Sequence, residues 1–147
     1  MKLNSLTIRE TMQGLRAKKF SSFELTKACL EQLKVINPQI NACKTIVEEE
    51  ALKQARVADE IIKSGTKLSL MGIPFTMKDA YITNRIKTTA SSKVLENYIP
   101  VYSATVYRKL RDQHAILLAK DNCDAWGHGS STENSDYGPT KNPWNLD

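Results

Sequence analysis

Leu70-Met71-Gly72-Ile73-Pro74-Phe75-Thr76-Met77, followed by Lys78-Asp79, is a short apolar run bounded by turn residues. Its length suits a buried strand, and Pro74 is tolerated because it stands near the start. A second run, Ala115-Ile116-Leu117-Leu118-Ala119, has the same character. Between them lie a polar connection around Thr83–Ser92 and an amphipathic stretch from about Ser103 to Gln113, with Val106, Tyr107 and Leu110 predicted to face inward. Strand, crossover helix and strand imply a parallel pair. The fold class is therefore α/β, with a sheet covered on both faces.

The sequence before this pair reads as mostly helical. Thr7-Ile8-Arg9-Glu10 is a capping-box pattern, and Ile8, Met12 and Leu15 then fall on one helical face. A second box, Ser21-Ser22-Phe23-Glu24, precedes a stripe of Leu25, Ala28, Cys29, Leu33 and Ile36, which Asn37-Pro38 should end. Residues 40–47 suit a short strand. A third helix, about Glu48 to Ser64, carries Ala51, Ala55 and Ala58 for close packing. Three glutamates open it and Gly65 stands where a C-terminal cap belongs.

The 147 residues are 41% hydrophobic and 25% charged, with mean hydropathy −0.41, which is the balance of a globular domain with a real core. No apolar run approaches the roughly 20 residues of a membrane span, and the first residues lack a signal-peptide core. A cytoplasmic protein without a membrane partner is expected. Net charge is +5, but the excess sits mainly in residues 1–67 (12 Lys/Arg against 8 Asp/Glu) and in no run longer than Lys18-Lys19. A nucleic-acid-binding stripe would interleave aromatics with the charges, and none does. Cys29, Cys43 and Cys123 are an odd number without a CxxC spacing, which points to free thiols. His114, Cys123, Asp124 and His128 match no standard zinc spacing, and no metal site is expected.

Lys78 is the sharpest chemical candidate. It ends a buried strand, where α/β sheets place their ligand-binding clefts, and a lysine held in such a cleft can serve as a general base. The plainer alternative is a surface ion pair with Asp79. The chain closes with Gly129-Ser130-Ser131-Thr132-Glu133-Asn134-Ser135 and a Gly- and Pro-rich stretch through Trp144. These residues are too polar to build a core and too varied for a plain linker. They read as an ordered loop, with Ser130 and Ser131 either facing a ligand or satisfying their own turn.

Several stretches together, in order, resemble the amidase-signature family: Gly72 to Asp79, Lys87 to Tyr98, Tyr102 to Val106, Leu117 to Lys120, and Gly129 to Ser135. The Ser130–Ser135 stretch with Gly138-Pro139-Thr140-Lys141-Asn142-Pro143-Trp144 resembles the tRNA-dependent amidotransferase subunits within that family. Ala80 stands where Asn is common, and Ala119 where Gly is usual. The resemblance implies an α/β/α layered fold with a mixed central sheet, of which this chain forms the N-terminal portion behind amphipathic helices. It implies a single incomplete amidase domain over 1–147, residues 1–67 mostly helical and 68–147 beginning the α/β core. It further implies a Ser–cis-Ser–Lys triad in which Lys78 is the base. Both serines are expected beyond Asp147, so the chain alone is expected to be inactive. Gly129, Ser130 and Ser131 would contact substrate. The implied partners are the other subunits of a heterotrimeric amidotransferase, with glutamine as substrate. The partner subunit would use ATP and Mg2+ and make most tRNA contacts, leaving no cofactor in this chain. A part of a stand-alone small-amide hydrolase and a non-catalytic assembly piece remain the alternatives.

Overall fold

The computed structural model describes residues 2–66 and 68–146. Both capping boxes form. Thr7 accepts from the Glu10 backbone while the Glu10 carboxylate takes the Thr7 N–H, opening α1 (Ile8–Arg16). Ser21 and Glu24 repeat the exchange ahead of α2 (Ser22–Ile40). Glu10 and Glu24 both have their pKa lowered, each first by the backbone N–H it accepts. The next elements are β1 (Cys43–Ile46), α3 (Glu48–Lys63), β2 (Pro74–Lys78), α4 (Thr105–Asp112) and β3 (Ile116–Asp121). Gly65 follows α3 in a left-handed conformation, φ +86°, as its C-terminal terminator.

The strands form one sheet in the order β1-β3-β2. β1 runs antiparallel to β3, pairing Cys43 with Asp121 and Ile46 with Ala119, with a bulge between Cys43 and Thr45. β2 and β3 run parallel: the Ile73 carbonyl accepts from Ile116 at one end, and the Asp79 N–H reaches the Asp121 carbonyl at the other. The parallel pair with a crossover helix is what the two apolar runs imply, and the mixed sheet is what the family resemblance implies. Among the described residues no helix is long and apolar enough to cross a membrane.

The chain divides into two compact units. One comprises Met1–Lys34, Val47–Phe75 and Lys109–Leu118; the other comprises Val35–Ile46, Thr76–Arg108 and Ala119–Asp147. In the first, Leu15, Phe20, Leu25 and Ile73 form a buried cluster. The Asp59 carboxylate of α3 receives the first N–H groups of α2, from Ser22 at 2.6 Å and Phe23 at 3.0 Å. It thereby satisfies donors that a helix start leaves unpaired. Ala51, Ala55 and Ala58 are wholly buried, as small residues on a close-packed helix face should be. The second unit holds β1, the C-terminal ends of β2 and β3, and the long connections after them, whose buried residues are largely polar.

Three expectations need correction. α2 does not stop at Asn37-Pro38 but runs to Ile40. Pro38 falls in the final turn, and Asn41 at φ +51° ends the helix instead, its N–H on the Asn37 carbonyl. The Asn37 side chain fixes the exit by pairing with both backbone groups of Cys43, at 2.7 and 2.9 Å. Val106 is exposed rather than inward, leaving Tyr107 as the buried anchor of α4. Ile8 opens α1 outside the buried cluster and is also exposed.

Gly14 lies inside α1, where the Phe20 ring packs so closely that a Cβ would sit 2.3 Å from its Cε1 atom. Alanine is favoured over glycine in a helix by about 1 kcal/mol, but overpacking a core costs about 1–3 kcal/mol. We expect Gly14→Ala to lower the Tm by several degrees in a thermal melt. An unchanged or raised Tm would contradict this packing.

Candidate active site

Side chains alternate at the end of β2. Thr76 and Lys78 are exposed, while Met77 and Asp79 are buried. Lys78 is therefore exposed and not held in the interior. Period-two geometry sends it to the opposite side of the strand from its two neighbours. A Cβ placed on Gly127 would lie 4.0 Å from the Lys78 Nζ, which puts the amine beside the turn that follows β3. The surface ion pair between Lys78 and Asp79 does not form either. Asp79 turns inward and meets Lys120 of β3, Nζ to Oδ1 at 3.3 Å, and neither side chain has any exposed surface.

This buried pair is closely tied to the backbone around it. Lys120 Nζ donates to the Tyr81 carbonyl and to Thr88 Oγ1, both at 2.9 Å. Asp79 Oδ2 accepts from the Thr89 N–H at 3.0 Å and the Thr89 hydroxyl at 2.5 Å. Its other oxygen forms no well-aligned hydrogen bond, and its partner is the ammonium charge itself. Burial lowers the pKa of the Lys120 amine, and the Asp79 carboxylate opposes that fall. Ala90 and Ser91 follow in left-handed conformations, φ 48° and 52°, which residues bearing a Cβ adopt at a cost. Four hydrogen bonds hold them there: Ala90 N to Asp79 O, Ser91 N to Thr89 Oγ1, Trp126 N to Ala90 O, and Asp136 N to Ser91 O.

The segment after β3 folds around two side chains. The amide of Asn122 spans the unit: its oxygen accepts from Ser135 Oγ at 2.7 Å and Ser91 Oγ at 3.2 Å, and its nitrogen donates to the Gly138 carbonyl at 2.9 Å. Asp124, also buried, gathers the backbone of the serine-rich loop, accepting from Thr132 N at 2.9 Å and Asn134 N at 3.1 Å. The Thr132 N–H is the main cause of its lowered pKa. Gly129 is required at this point, because a Cβ there would fall 2.6 Å from the Asp124 Cγ. Ser130 and Ser131 are exposed on the loop so formed, and Ser131 Oγ donates to Glu133 at 2.9 Å. The structure thus brings the Gly127 turn to Lys78 but records no hydrogen bond between Lys78 and Ser130 or Ser131 among the described residues.

The cysteines carry little reactivity here. Cys43 and Cys123 are buried, and Cys43 has its pKa pushed up to about 12, first by burial and then by the Asp121 carboxylate. A thiol so raised is a poor nucleophile at neutral pH. Sequence reasoning singled out neither Lys120 nor Asn122 for these contacts, nor Asp124 for gathering the loop. Lys120 follows a fully apolar run and so stood in a position to be buried.

A carboxylate whose folded pKa is lowered contributes stability that is present above its unfolded value, near ~4, and is lost as pH falls through the folded value. We therefore expect the Gly129–Ser135 loop to loosen below about pH 4, with faster amide exchange at Thr132 and Asn134. Asp124→Asn should show fast exchange at both positions already at neutral pH, with no acid step. An acid step that persisted in Asp124→Asn would assign the titration to another group.

Comparison with known proteins places these features in a family. The Amidase family model matches residues 24–147. The A subunit of the glutamyl-tRNA(Gln) amidotransferase of Thermoanaerobacter pseudethanolicus is 51% identical over 146 residues, covering 99% of this chain and 30% of the relative. Its counterpart from Geobacter metallireducens is 43% identical over 147 residues, 100% of this chain and 30% of the relative. Among solved structures, the corresponding glutamyl-tRNA(Gln) amidotransferase protein from Thermotoga maritima superposes with a TM-score of 0.74 at 30% identity, covering 99% of this chain and 29% of that one. Native peptide amidase from Stenotrophomonas maltophilia superposes at 0.85 with 28% identity, covering 97% and 31%. The chain spans about 30% of the length of the curated relatives it matches.

Proposed function

Because the chain belongs to the amidase family, we propose that it supplies the N-terminal part of the glutaminase subunit of a tRNA-dependent amidotransferase. The observation that carries this reading is the 51% identity, spread over 99% of the chain, to the A subunit of a glutamyl-tRNA(Gln) amidotransferase. In this role the complete subunit releases ammonia from the side-chain amide of glutamine. Partner subunits of the heterotrimer use the ammonia, with ATP and Mg2+, to amidate misacylated Glu-tRNA(Gln) or Asp-tRNA(Asn), and they make most of the tRNA contacts. The setting is cytoplasmic translation.

The chemistry assigned to this chain is that of a proton carrier. A serine nucleophile attacks the glutamine amide carbon, and its proton passes through a bridging serine to Lys78. The same proton then goes to the departing nitrogen, and water releases the acyl group from the serine. Support from the geometry is the position of Lys78 at the carboxyl end of β2, exposed beside the Gly127 turn, where α/β sheets place their ligands. Gly129, Ser130 and Ser131 line the adjoining loop and are assigned to substrate contact. In this reading both triad serines belong to the remainder of the subunit, so residues 1–147 alone should hydrolyse no glutamine above background.

In a chain completed with the remainder of the subunit, Lys78→Ala and Lys78→Arg should each abolish glutamine hydrolysis while leaving assembly with the partner subunits intact. Arginine keeps the charge but does not give up its proton, so it separates basicity from packing. Near-normal turnover in Lys78→Arg would make Lys78 structural. Turnover by residues 1–147 alone that vanished with Lys78→Ala would assign the nucleophile to a serine already present.

A further inference from the structure

We propose that Asp79 and Lys120 are positioning residues for Lys78, fixing the distance between its amine and the Gly127 turn; this rests on the assignment of Lys78 as the base. No hydrogen bond or ion pair to the Lys78 amine is recorded among the described residues, so what the fold holds is the backbone from which the side chain starts. That backbone is held one residue on. The Asp79 N–H is bound to Asp121 of β3, the Asp79 carbonyl takes the Ala90 N–H, and the carboxylate takes both donors of Thr89. Ala90 in turn accepts from Trp126, which opens the Gly127 turn with φ +58°. A path therefore runs from Asp79 through Ala90 and Trp126 to Gly127, where an added Cβ would stand 4.0 Å from the Lys78 amine.

Lys120 is the counter-charge that keeps the Asp79 carboxylate in place. It reaches Asp79 from β3 while also binding the Tyr81 carbonyl just before the polar connection and the Thr88 hydroxyl within it. A fully buried ion pair is a poor choice for stability alone, since well-packed apolar residues serve that end equally well. What the pair supplies here is a fixed geometry: two strands and the left-handed turn at Ala90-Ser91 meet at one pair of charges.

The test reads the Lys78 amine and not turnover. In the 147-residue chain with 13C-methylated lysines, the Lys78 resonance is the one lost in Lys78→Arg. We expect it to stand apart from the exposed lysines Lys19 and Lys53, with restricted motion. In the neutral pair Asp79→Asn with Lys120→Met it should move onto the envelope of those free lysines, while circular dichroism shows the chain still folded. An unmoved Lys78 resonance in the folded double variant would overturn the proposal, and so would a wild-type resonance already inside the free envelope. If the double variant does not fold, Thr89→Val decides, because it keeps both charges and the side-chain volume. A Lys78 shift there supports positioning through Asp79, and an unchanged signal overturns it. Loss of hydrolysis in Lys78→Arg tests the role of the base separately, so the two readings fail on different results.

Discussion

A carboxylate and an ammonium, both cut off from water, meet where β2 ends and β3 is about to end. Placing two charges in the interior is costly. The cost is tolerable only when every remaining donor and acceptor finds a partner. Asp79 and Lys120 come close to that limit: groups from Thr88, Thr89 and Tyr81, with the two charges themselves, account for their polar atoms. The polar connection after β2 therefore cannot wander. It must present the Tyr81 carbonyl and the Thr88 and Thr89 side chains to the same point, and it does so by accepting left-handed backbone at Ala90 and Ser91. The Gly127 turn, the Asn122 contacts and the loop collected by Asp124 are built on top of this arrangement.

How much of this was legible in the sequence depends on the range of the interaction. The capping boxes at Thr7 and Ser21 join residues three apart, and both form as the letters suggest. The two apolar runs became the parallel strands, because length, flanking turns and an intervening helix leave few alternatives. Only β3 is buried along its length, however, and in β2, which starts at Pro74, Met77 alone is buried. Helix ends were less certain. Pro38 looked like a stop, yet it fits in a last turn whose real terminator, Asn41, is marked only by its tolerance of positive φ.

The place of Lys78 at the end of a strand was legible, but the direction of its side chain was not. A lysine ending a run read as a buried strand was expected in a cleft or in a surface pair with Asp79. In the structure, alternation carries Lys78 outward and Asp79 inward, and a one-residue step decides between an exposed amine and a core ion pair. Lys120 escaped notice because its partner lies far earlier in the chain, at Asp79, and nothing local distinguishes it from an ordinary strand-ending lysine. The role of Asp124 escaped for a similar reason: its ligands are backbone N–H groups of Thr132 and Asn134, which any sequence could supply. Gly129 was the one visible trace of that contact, since the carboxylate leaves no room for a Cβ.

The central claim is that Asp79 and Lys120 act as one unit. A double-mutant cycle with Asp79→Asn and Lys120→Met, followed by chemical denaturation, tests it most directly. Either single change strands a buried charge and should cost about 3–5 kcal/mol. The double change strands none, and should cost less than the sum of the two by well over about 1 kcal/mol. Additive losses would contradict the claim: the two side chains would then stabilise the fold separately, and the sheet end and its turn would not depend on their pairing.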